Sequence, residues 1–315
     1  MWRGLAKGAL LTAFGRVPGG VRAYRTVTRE WMGTQITHVD KQRRVWPGYV
    51  RAWQTHAGLE LDGTYVWVHE GGWTPFPFFA NHLVTGRAGV VTNHEGRVLD
   101  RYLAAAVNGA VSCELPDTPG MAMRRAELDP LRWSPTAGDA IEAIGGQLLE
   151  SIELGCIPLD DGSVDLCHSA GTLEHHHPDS VRAFLEECRR ILRPGGVMSH
   201  VFDHRDHLHH ADPDWGFLAH LRLSPRTYTA LCGHPLLYHN RLLPPQVAAM
   251  FEQAGFERIA VRRMLLPSRR YVDTDEEALV GDPGIERAHL AACFRQASDA
   301  DLRTAAAHYL YRKLA

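Results

Sequence analysis

The sequence lacks any paired-cysteine motif. Its six cysteines stand at positions 113, 156, 167, 188, 232 and 293, and none forms a C-x-x-C pair. In a chain of 315 residues, cysteines scattered in this way favour free thiols in a reducing compartment. We therefore expect a cytoplasmic protein.

A strong charge of either sign and a long hydrophobic run are missing as well. The net charge is −2, which gives no electrostatic reason to expect binding to nucleic acid or to an anionic membrane. Near the N-terminus, the apolar stretch Ala9–Phe14 is too short to span a membrane, and no convincing signal cleavage site follows it. We expect residues 1–20 to form a short amphipathic helix that packs on the domain, on a second copy of the chain or on a partner subunit.

The residue type in excess is histidine, with 19 copies, and several of them surround a strand–helix–strand pattern in the middle of the chain. Val164–Ser169 and Val197–Val201 are short and apolar enough for buried parallel strands. Between them, Pro178 suits the first turn of a helix, and Pro194-Gly195-Gly196 ends that helix. The pattern predicts a parallel sheet with a right-handed crossover, in which ligands bind beyond the carboxyl ends of the strands.

Three pieces of the same region resemble the class I S-adenosylmethionine-dependent methyltransferases: IPLDDGSVDL (157–166), LEH (173–175) and RILRPGG (190–196). Residues 200–224 and 236–256 resemble one small-molecule subgroup of that superfamily. The resemblance implies an α/β fold. This would be a Rossmann-like, mostly parallel sheet of seven strands, the last of them antiparallel, with helices on both faces and an N-terminal helical cap.

The resemblance also divides the chain. It implies a helical cap over residues 1–58 and a Rossmann-like domain over residues 59–315, with an insertion at about 204–243. Within the second half, Pro245–Ala254 is predicted as a helix and Phe256–Val261 as the next strand. The last strand is expected at Ala305–Arg312, and residues 271–303 are expected to be acidic and helical.

In the first half, the resemblance places the cofactor at the turn after the strand Thr64–His69. Residues 72–75 match the G-W-T-P that often ends this turn in the subgroup, but Val68 stands at the family's acidic position. Glu70 stands at its first glycine, where a Cβ crowds the methionine part of the cofactor. S-adenosylmethionine is expected between this turn and the end of the fourth strand, with contacts to Glu70, Gly71, Gly72, Ser169 and Ala170.

The second strand, predicted at Ala88–Thr92, leads to the residues expected at the ribose of the cofactor. His94 takes the family's acidic position and Glu95 is adjacent, and either side chain can accept a hydrogen bond from a hydroxyl. A helix at Ala140–Ser151 and a third strand at Ile152–Ile157 are predicted next.

The substrate side keeps more of the subgroup's pattern, because His200, Asp203, Asp206 and His207 match its aspartate–x–x–aspartate–histidine motif. We expect His175, Asp203 and His207 to be the catalytic contacts to the methyl acceptor, through acid–base or hydrogen-bonding work near neutral pH. Further substrate contacts are expected from His200, Asp206, Asn240 and Arg241, the last two on the insertion over the cleft.

These histidines and carboxylates also raise the question of a metal. Two histidines with one carboxylate suit iron. However, the subgroup shows its motif without a known metal, and the consecutive His175, His176 and His177 cannot all face one ion from a regular element. We therefore expect no metal.

The function implied by the resemblance is methyl transfer from S-adenosylmethionine to a small-molecule acceptor. The alternative is a protein that keeps the fold but has lost the cofactor, because the departures from the family pattern fall on cofactor-binding positions. Such a protein would be a non-methylating enzyme using the His/Asp cluster, a scaffold or a partner subunit.

Overall fold

The computed structural model describes residues 2–30, 34–70, 74–93, 100–150, 152–210, 212–266, 270–272 and 285–314. The chain begins with helices α1 (Trp2–Arg16), α2 (Gly20–Glu30) and α3 (Thr34–Thr55). Eight further helices follow within the described ranges: α4 (Phe76–Thr85), α5 (Leu103–Val111), α6 (Met121–Leu128), α7 (Ala137–Ala143), α8 (Pro178–Ile191), α9 (Pro225–Cys232), α10 (Pro244–Gln253) and α11 (Asp299–Arg303). No helix in these ranges is long and apolar enough to cross a membrane.

One sheet runs through the molecule. Its strands are β1 (Val66–Glu70), β2 (Val90–Asn93), β3 (Gln147–Glu150), β4 (Val164–Ala170), β5 (Leu192–Asp203), β6 (Phe256–Leu265), β7 (Arg270–Val272) and β8 (Thr304–Lys313). Their order in space is β3-β2-β1-β4-β5-β8-β6-β7. β1 to β5 are parallel and β8 is antiparallel to both β5 and β6. The predicted Rossmann-like fold is confirmed, with the short β7 added at the edge beyond β6.

The β4–α8–β5 unit forms where the sequence predicts it. Pro178 opens α8, His177 is its N-cap residue, and Val181, Phe184, Leu185, Cys188 and Ile191 are its buried face. The unit lies in the middle of the sheet, because β4 pairs in parallel with both β1 and β5. Its carboxyl ends therefore meet those of β1 at one edge of the sheet.

The third strand is a correction to the sequence prediction. The structure forms β3 at Gln147–Glu150 and ends α7 at Ala143, whereas Glu153 and Cys156 form only an isolated antiparallel bridge. Gly145, at φ +71, ends the helix early, because a backbone in this region favours glycine. Farther along, residues 273–284 lie outside the described residues, and the long helix predicted over 271–303 is reduced to short 3₁₀ turns and α11 in residues 285–303.

The two faces of the sheet bury different aromatic clusters. On one face, Trp46 and Trp53 of α3 pack with the phenylalanines of α4. On the other, Phe184 of α8 and Phe251 of α10 pack with Tyr309 of β8. Both clusters are almost fully removed from water, so hydrophobic burial on each face holds the strands in register.

A polar group lies inside the first cluster. The Ser199 hydroxyl accepts a hydrogen bond from Trp53 Nε1 at 2.8 Å and is bonded to His168 Nδ1 at 3.0 Å and His308 Nε2 at 2.8 Å. All four side chains are buried. Because a hydroxyl has one hydrogen and two lone pairs, the three bonds use its full capacity, with one histidine donating and the other accepting.

The N-terminal helix packs closely on the insertion. Gly4 N donates to Asp212 Oδ2 at 2.8 Å, and a Cβ built on Gly4 would lie 2.8 Å from Trp215 Cε3. A Cβ on Gly8 would lie 3.2 Å from Leu208 Cδ1. These glycines let α1 approach residues 208–215 more closely than larger residues would.

Candidate functional site

The site lies where β4 and β5 end. Gly171, at φ +66, turns the chain out of β4, and Leu173–His175 then form a 3₁₀ turn. Asp203 ends β5 beside this turn, and its backbone N–H donates to Glu174 Oε1 at 3.3 Å. The predicted strand ends are thus brought together at one point.

The insertion closes over this point. Asn240 Nδ2 donates to Leu173 O and His176 O, and His239 Nε2 donates to Asp203 O at 2.8 Å. These bonds fix residues 238–241 directly above the ends of β4 and β5. The backbone around the site is therefore fixed by long-range hydrogen bonds from the insertion.

A cluster of imidazoles fills the space between these elements. The ring centroids of His175 and His207 are 4.6 Å apart, and those of His207 and His239 are 5.2 Å apart. His210 lies 5.5 Å from His207, and His220 lies 5.0 Å from His239. The cluster joins residues far apart in sequence, which explains part of the histidine excess.

Asp203 is the fixed negative charge of the cluster. Arg205 bonds both of its carboxylate oxygens, at 2.9 and 2.7 Å, and His210 Nε2 donates to Oδ2 at 3.0 Å. Burial alone would raise the pKa of Asp203, but the hydrogen bonds from His210 and Arg205 outweigh it and hold the pKa well below its usual range. Asp203 is therefore ionised at neutral pH.

Glu174 is a second carboxyl group in the site, in a different state. Only 1% of its surface is exposed, and its Oε2 has no hydrogen-bond partner among the described residues. Burial, with a smaller contribution from the charge of Asp203, raises the pKa of Glu174 to about 8. The L-E-H pattern contains this residue but indicates no role for it, because residues that follow much later in the chain cover it, among them Asn240, whose backbone N–H donates to Glu174 O.

The histidines nearest to these carboxyl groups are held neutral. Burial lowers the pKa of His175 and holds that of His207 well below its usual value, and burial lowers the pKa of His239 to about 4. His175 Nδ1 must carry a hydrogen, since its partner at 3.2 Å is the carbonyl oxygen of Tyr238. The lone pair of His175 is therefore on Nε2.

A cavity of about 570 Å³ opens beside His175. Three segments form its wall: Tyr24, Arg25 and Thr28 of α2, residues 175–177 after β4, and residues 233–236 with Tyr238 of the insertion. Both ring nitrogens of His234 are buried in this wall and have no hydrogen-bond partner among the described residues. The cavity has the size of a small-molecule site.

The structure groups the predicted catalytic residues but gives other partners to the predicted substrate contacts. His175, Asp203 and His207 lie together. His200 is fully buried and bonded to Ser169, and Asp206 accepts from Leu208 N and Trp215 Nε1.

Asn240 and Arg241 also form hydrogen bonds within the protein. Asn240 holds the turn after β4, as described above. Arg241 donates to the carbonyls of His220 and Leu223 and stacks 4.0 Å over Tyr228. None of His200, Asp206, Asn240 and Arg241 is among the residues described as lining the 570 Å³ cavity, whereas Asn240 and Arg241 line a second cavity of about 330 Å³. Their roles as substrate contacts stay predictions.

The predicted cofactor contacts are described in part. Gly71, Gly72, His94 and Glu95 lie outside the described residues, as does the side chain of Glu70, whose backbone ends β1 opposite Asn93. Ser169 is fully buried and its hydroxyl bonds His200 Nδ1 at 2.6 Å. Ala170 is half-buried at the end of β4. These cofactor roles stay predictions.

Two groups of side chains within the described ranges have the composition of a metal site. In one, ligand atoms of Glu174, His175 and His207 all lie within 4.8 Å of one another, and in the other those of Asp203, His207 and His210 do. Both share His207. The expectation of no metal rested on the subgroup's motif, which has no known metal, and on the consecutive histidines, whereas these groups join residues from separate segments.

Comparison with known proteins bears on the region that forms this site. Residues 142–199 match a family model described as a methyltransferase domain. The resemblance to methyltransferases is confirmed. The match runs from α7 through β3, β4 and α8 into β5, which is the strand–helix–strand unit that carries Glu174 and His175. No curated protein matches the chain significantly.

Several solved structures are similar to this chain at low identity. An S-adenosylmethionine-dependent methyltransferase from Mesorhizobium loti is 15% identical, with a TM-score of 0.44, over 87% of this chain and 100% of that one. A chain of the Haloferax volcanii complex containing the Trm112 methyltransferase activator is 14% identical, with a TM-score of 0.41, over 88% of this chain and 98% of that one.

A third structure is geranyl diphosphate C-methyltransferase from Streptomyces coelicolor A3(2), in complex with Mg²⁺, geranyl-S-thiolodiphosphate and S-adenosyl-L-homocysteine. It is 11% identical, with a TM-score of 0.42, over 86% of this chain and 77% of that one. At these values the neighbours say nothing about the ligands of this chain.

Proposed function

We propose that this protein transfers the methyl group of S-adenosylmethionine to a small-molecule acceptor bound in the 570 Å³ cavity. The observation that carries the proposal is the position of this cavity. It adjoins the carboxyl end of β4, within the segment that matches the methyltransferase domain. Open α/β sheets bind ligands at such strand ends.

The described part of the neighbouring cleft fits a cofactor. Gln42 of α3 accepts a hydrogen bond from Thr74, the first described residue after the turn that follows β1, at 2.9 Å. Trp46, one turn later on α3, packs on His168 of β4. This part of α3 therefore lies over β1 and β4, and Gln42 Nε2 is buried there without a hydrogen-bond partner among the described residues. Such a donor suits the carboxylate of S-adenosylmethionine.

The chemistry asked of the protein is mainly positioning. S-adenosylmethionine supplies an activated methyl group when bound, and the chain must place a nucleophilic acceptor in line with it and exclude water. Tyr238 O orients the His175 ring, so that its Nε2 lone pair is available to a hydroxyl or amine of the acceptor. Asp203 and His207 lie beside His175 and determine the electrostatic environment of its ring.

The cavity wall favours an acceptor with an anionic group. Its described side chains include the cation Arg25 and no carboxylate, and its four histidines can donate N–H hydrogen bonds to an anion. With labelled S-adenosylmethionine and a pool of cell metabolites, we expect methyl transfer to compounds that an anion-exchange resin retains. Transfer confined to the fraction retained by a cation-exchange resin would contradict this choice of acceptor.

Binding of S-adenosylhomocysteine tests the cofactor part of the proposal. We expect wild type to bind it with a Kd below about 1 mM by isothermal titration calorimetry. Gln42→Met should weaken binding by roughly 1.5–3 kcal/mol, the value of a hydrogen bond to a charged group. The matched control is Gln54→Met, farther along α3, which should bind like wild type. If wild type does not bind S-adenosylhomocysteine at millimolar concentration, the proposal is wrong, and the alternative of a protein that keeps the fold but has lost the cofactor is supported.

A further inference from the structure

We propose that Glu174, His175 and His207 bind one divalent transition-metal ion at the inner end of the cavity. This site is independent of the cofactor, and nothing in the methyltransferase resemblance requires it. Two imidazoles and one carboxylate on one side of an ion, with positions left for exogenous ligands, are a donor set that zinc and iron accept.

The geometry of the three donors carries the proposal. Their ligand atoms lie within 4.8 Å of one another, although they come from the turn after β4 and from the insertion. The ring centroids of His175 and His207 are 4.6 Å apart. His239 donates to Asp203 O at the end of β5, and Asn240 donates to Leu173 O in the turn after β4. Because these hydrogen bonds fix the backbone near the three donors, the group is held together before any ion binds.

The unused atoms of these side chains point to a ligand. Glu174 Oε2 and His207 Nε2 are both buried and have no hydrogen-bond partner among the described residues. A buried polar atom without a partner is costly to a folded protein. A divalent ion would satisfy both atoms at once.

His175 is prepared for the same role. Its Nδ1–H donates to the backbone carbonyl of Tyr238 at 3.2 Å, which orients the ring and leaves the Nε2 lone pair free. A second ring nitrogen bonded to a carbonyl is the usual support of a metal-bound histidine. His175 also lines the 570 Å³ cavity, so with the ion bound an acceptor there would meet the open side of the ion in place of the free Nε2 lone pair.

The alternative group, Asp203 with His207 and His210, fits less well. Both carboxylate oxygens of Asp203 are taken by Arg205, and one of them also by His210 Nε2. Binding an ion there would break these bonds. Asp203 instead acts as a fixed charge beside the proposed site.

Protein purified without a histidine tag tests the site. We expect elemental analysis and titration with Zn²⁺ to show one tightly bound equivalent. His175→Ala and His207→Ala should each lower the affinity at least about 100-fold, since loss of a supporting residue alone costs 10–100-fold. Co²⁺ in place of Zn²⁺ should give a visible d–d absorption band that both variants lose.

Two controls separate this site from other histidines. His177→Ala, an exposed neighbour, should keep wild-type affinity. His210→Ala should keep it too. Absence of a stoichiometric ion in wild type, or loss of it in His210→Ala but not in His175→Ala, would overturn the assignment. His175 is open to the cavity, so its variant should fold even if the buried His207 variant does not. S-adenosylhomocysteine binding is measured separately, so failure of the metal site leaves the proposed function untouched.

Discussion

Lowering the pH from 7.5 to 5.5 is expected to reduce the free energy of unfolding by at least about 4 kcal/mol. The cause is three histidines inside the sheet, His168, His200 and His308, each exposed by 1% or less. Burial lowers the pKa of His168 to about 3. Burial also holds the pKa of His200 and His308 well below the usual value, with smaller contributions from His168 and, for His308, from Arg262, His200 and His56.

The free energy of unfolding falls as the pH is lowered because each of these histidines binds its proton more readily in the unfolded chain than in the folded protein. In the unfolded chain these histidines titrate near pH 6.5, whereas in the folded protein they stay neutral, so below that pH the unfolded state gains protons and becomes favoured. Each histidine contributes about 1.4 kcal/mol over this interval. The raised pKa of Glu174 acts in the opposite direction, but it is outweighed by His204, His207, His220 and His239 of the insertion, whose pKa values burial lowers, so the total is a lower bound.

Urea unfolding followed by tryptophan fluorescence at both pH values would measure the loss. His168→Phe, which keeps a ring among Trp46, Tyr49 and Trp53, should remove about a third of the pH dependence attributed to the three histidines. His289→Phe, at an exposed position, is the matched control and should leave it unchanged. A stability that does not fall between the two pH values would contradict the buried neutral state.

The second large effect is expected from Ser199→Ala. Removing the hydroxyl leaves Trp53 Nε1, His168 Nδ1 and His308 Nε2 without their partner in a fully buried layer. At 1–3 kcal/mol for each unpaired group, and with some relaxation among the three, we expect a loss of about 3–5 kcal/mol in the free energy of unfolding. That loss is a large share of the stability of a typical domain.

The same denaturation experiment at neutral pH, with far-UV circular dichroism as a second probe, measures this loss. The control is Ser163→Ala, whose exposed hydroxyl bonds only Asp160 O among the described residues, and which should change stability by less than about 0.5 kcal/mol. If Ser199→Ala costs under about 1 kcal/mol, the four side chains do not form the connected network that the distances indicate.

The parts of the fold that could be predicted are those with strong local signals. β4, α8 and β5 have apolar runs, a helical spacing and a Pro-Gly-Gly stop, and they form where predicted. β3 was misplaced because its four residues closely follow a short helix, and only Ile144 and the two glycines at 145 and 146 separate them. Short elements offer too few residues for a periodicity to show.

In the site, too, only the features with a local sequence signal could be predicted. His175, Asp203 and His207 were grouped from their positions after two neighbouring strands, and the structure brings them together. Glu174 was overlooked because its burial and its unpaired oxygen depend on the insertion. The insertion contacts the turn at Leu173–His175 only through residues as distant in sequence as Asn240. Arg241, at φ 57, was expected at the substrate, a role that stays a prediction, and no sequence pattern indicates that it also supports the insertion through carbonyls 18 and 21 residues earlier. Contacts over such separations leave no local signal in a sequence.

The position of β8 has a consequence for the order of events during translation. This strand follows the seven other strands that the structure describes, yet it lies between β5 and β6 and bonds to both. While the ribosome is still making residues 304–313, the nascent chain exposes a free edge on β5, and β6 and β7 have no place in the sheet. Open strand edges of this kind are prone to aggregate. Slow decoding of the β8 codons would therefore prolong the interval in which a chaperone has to shield the growing protein.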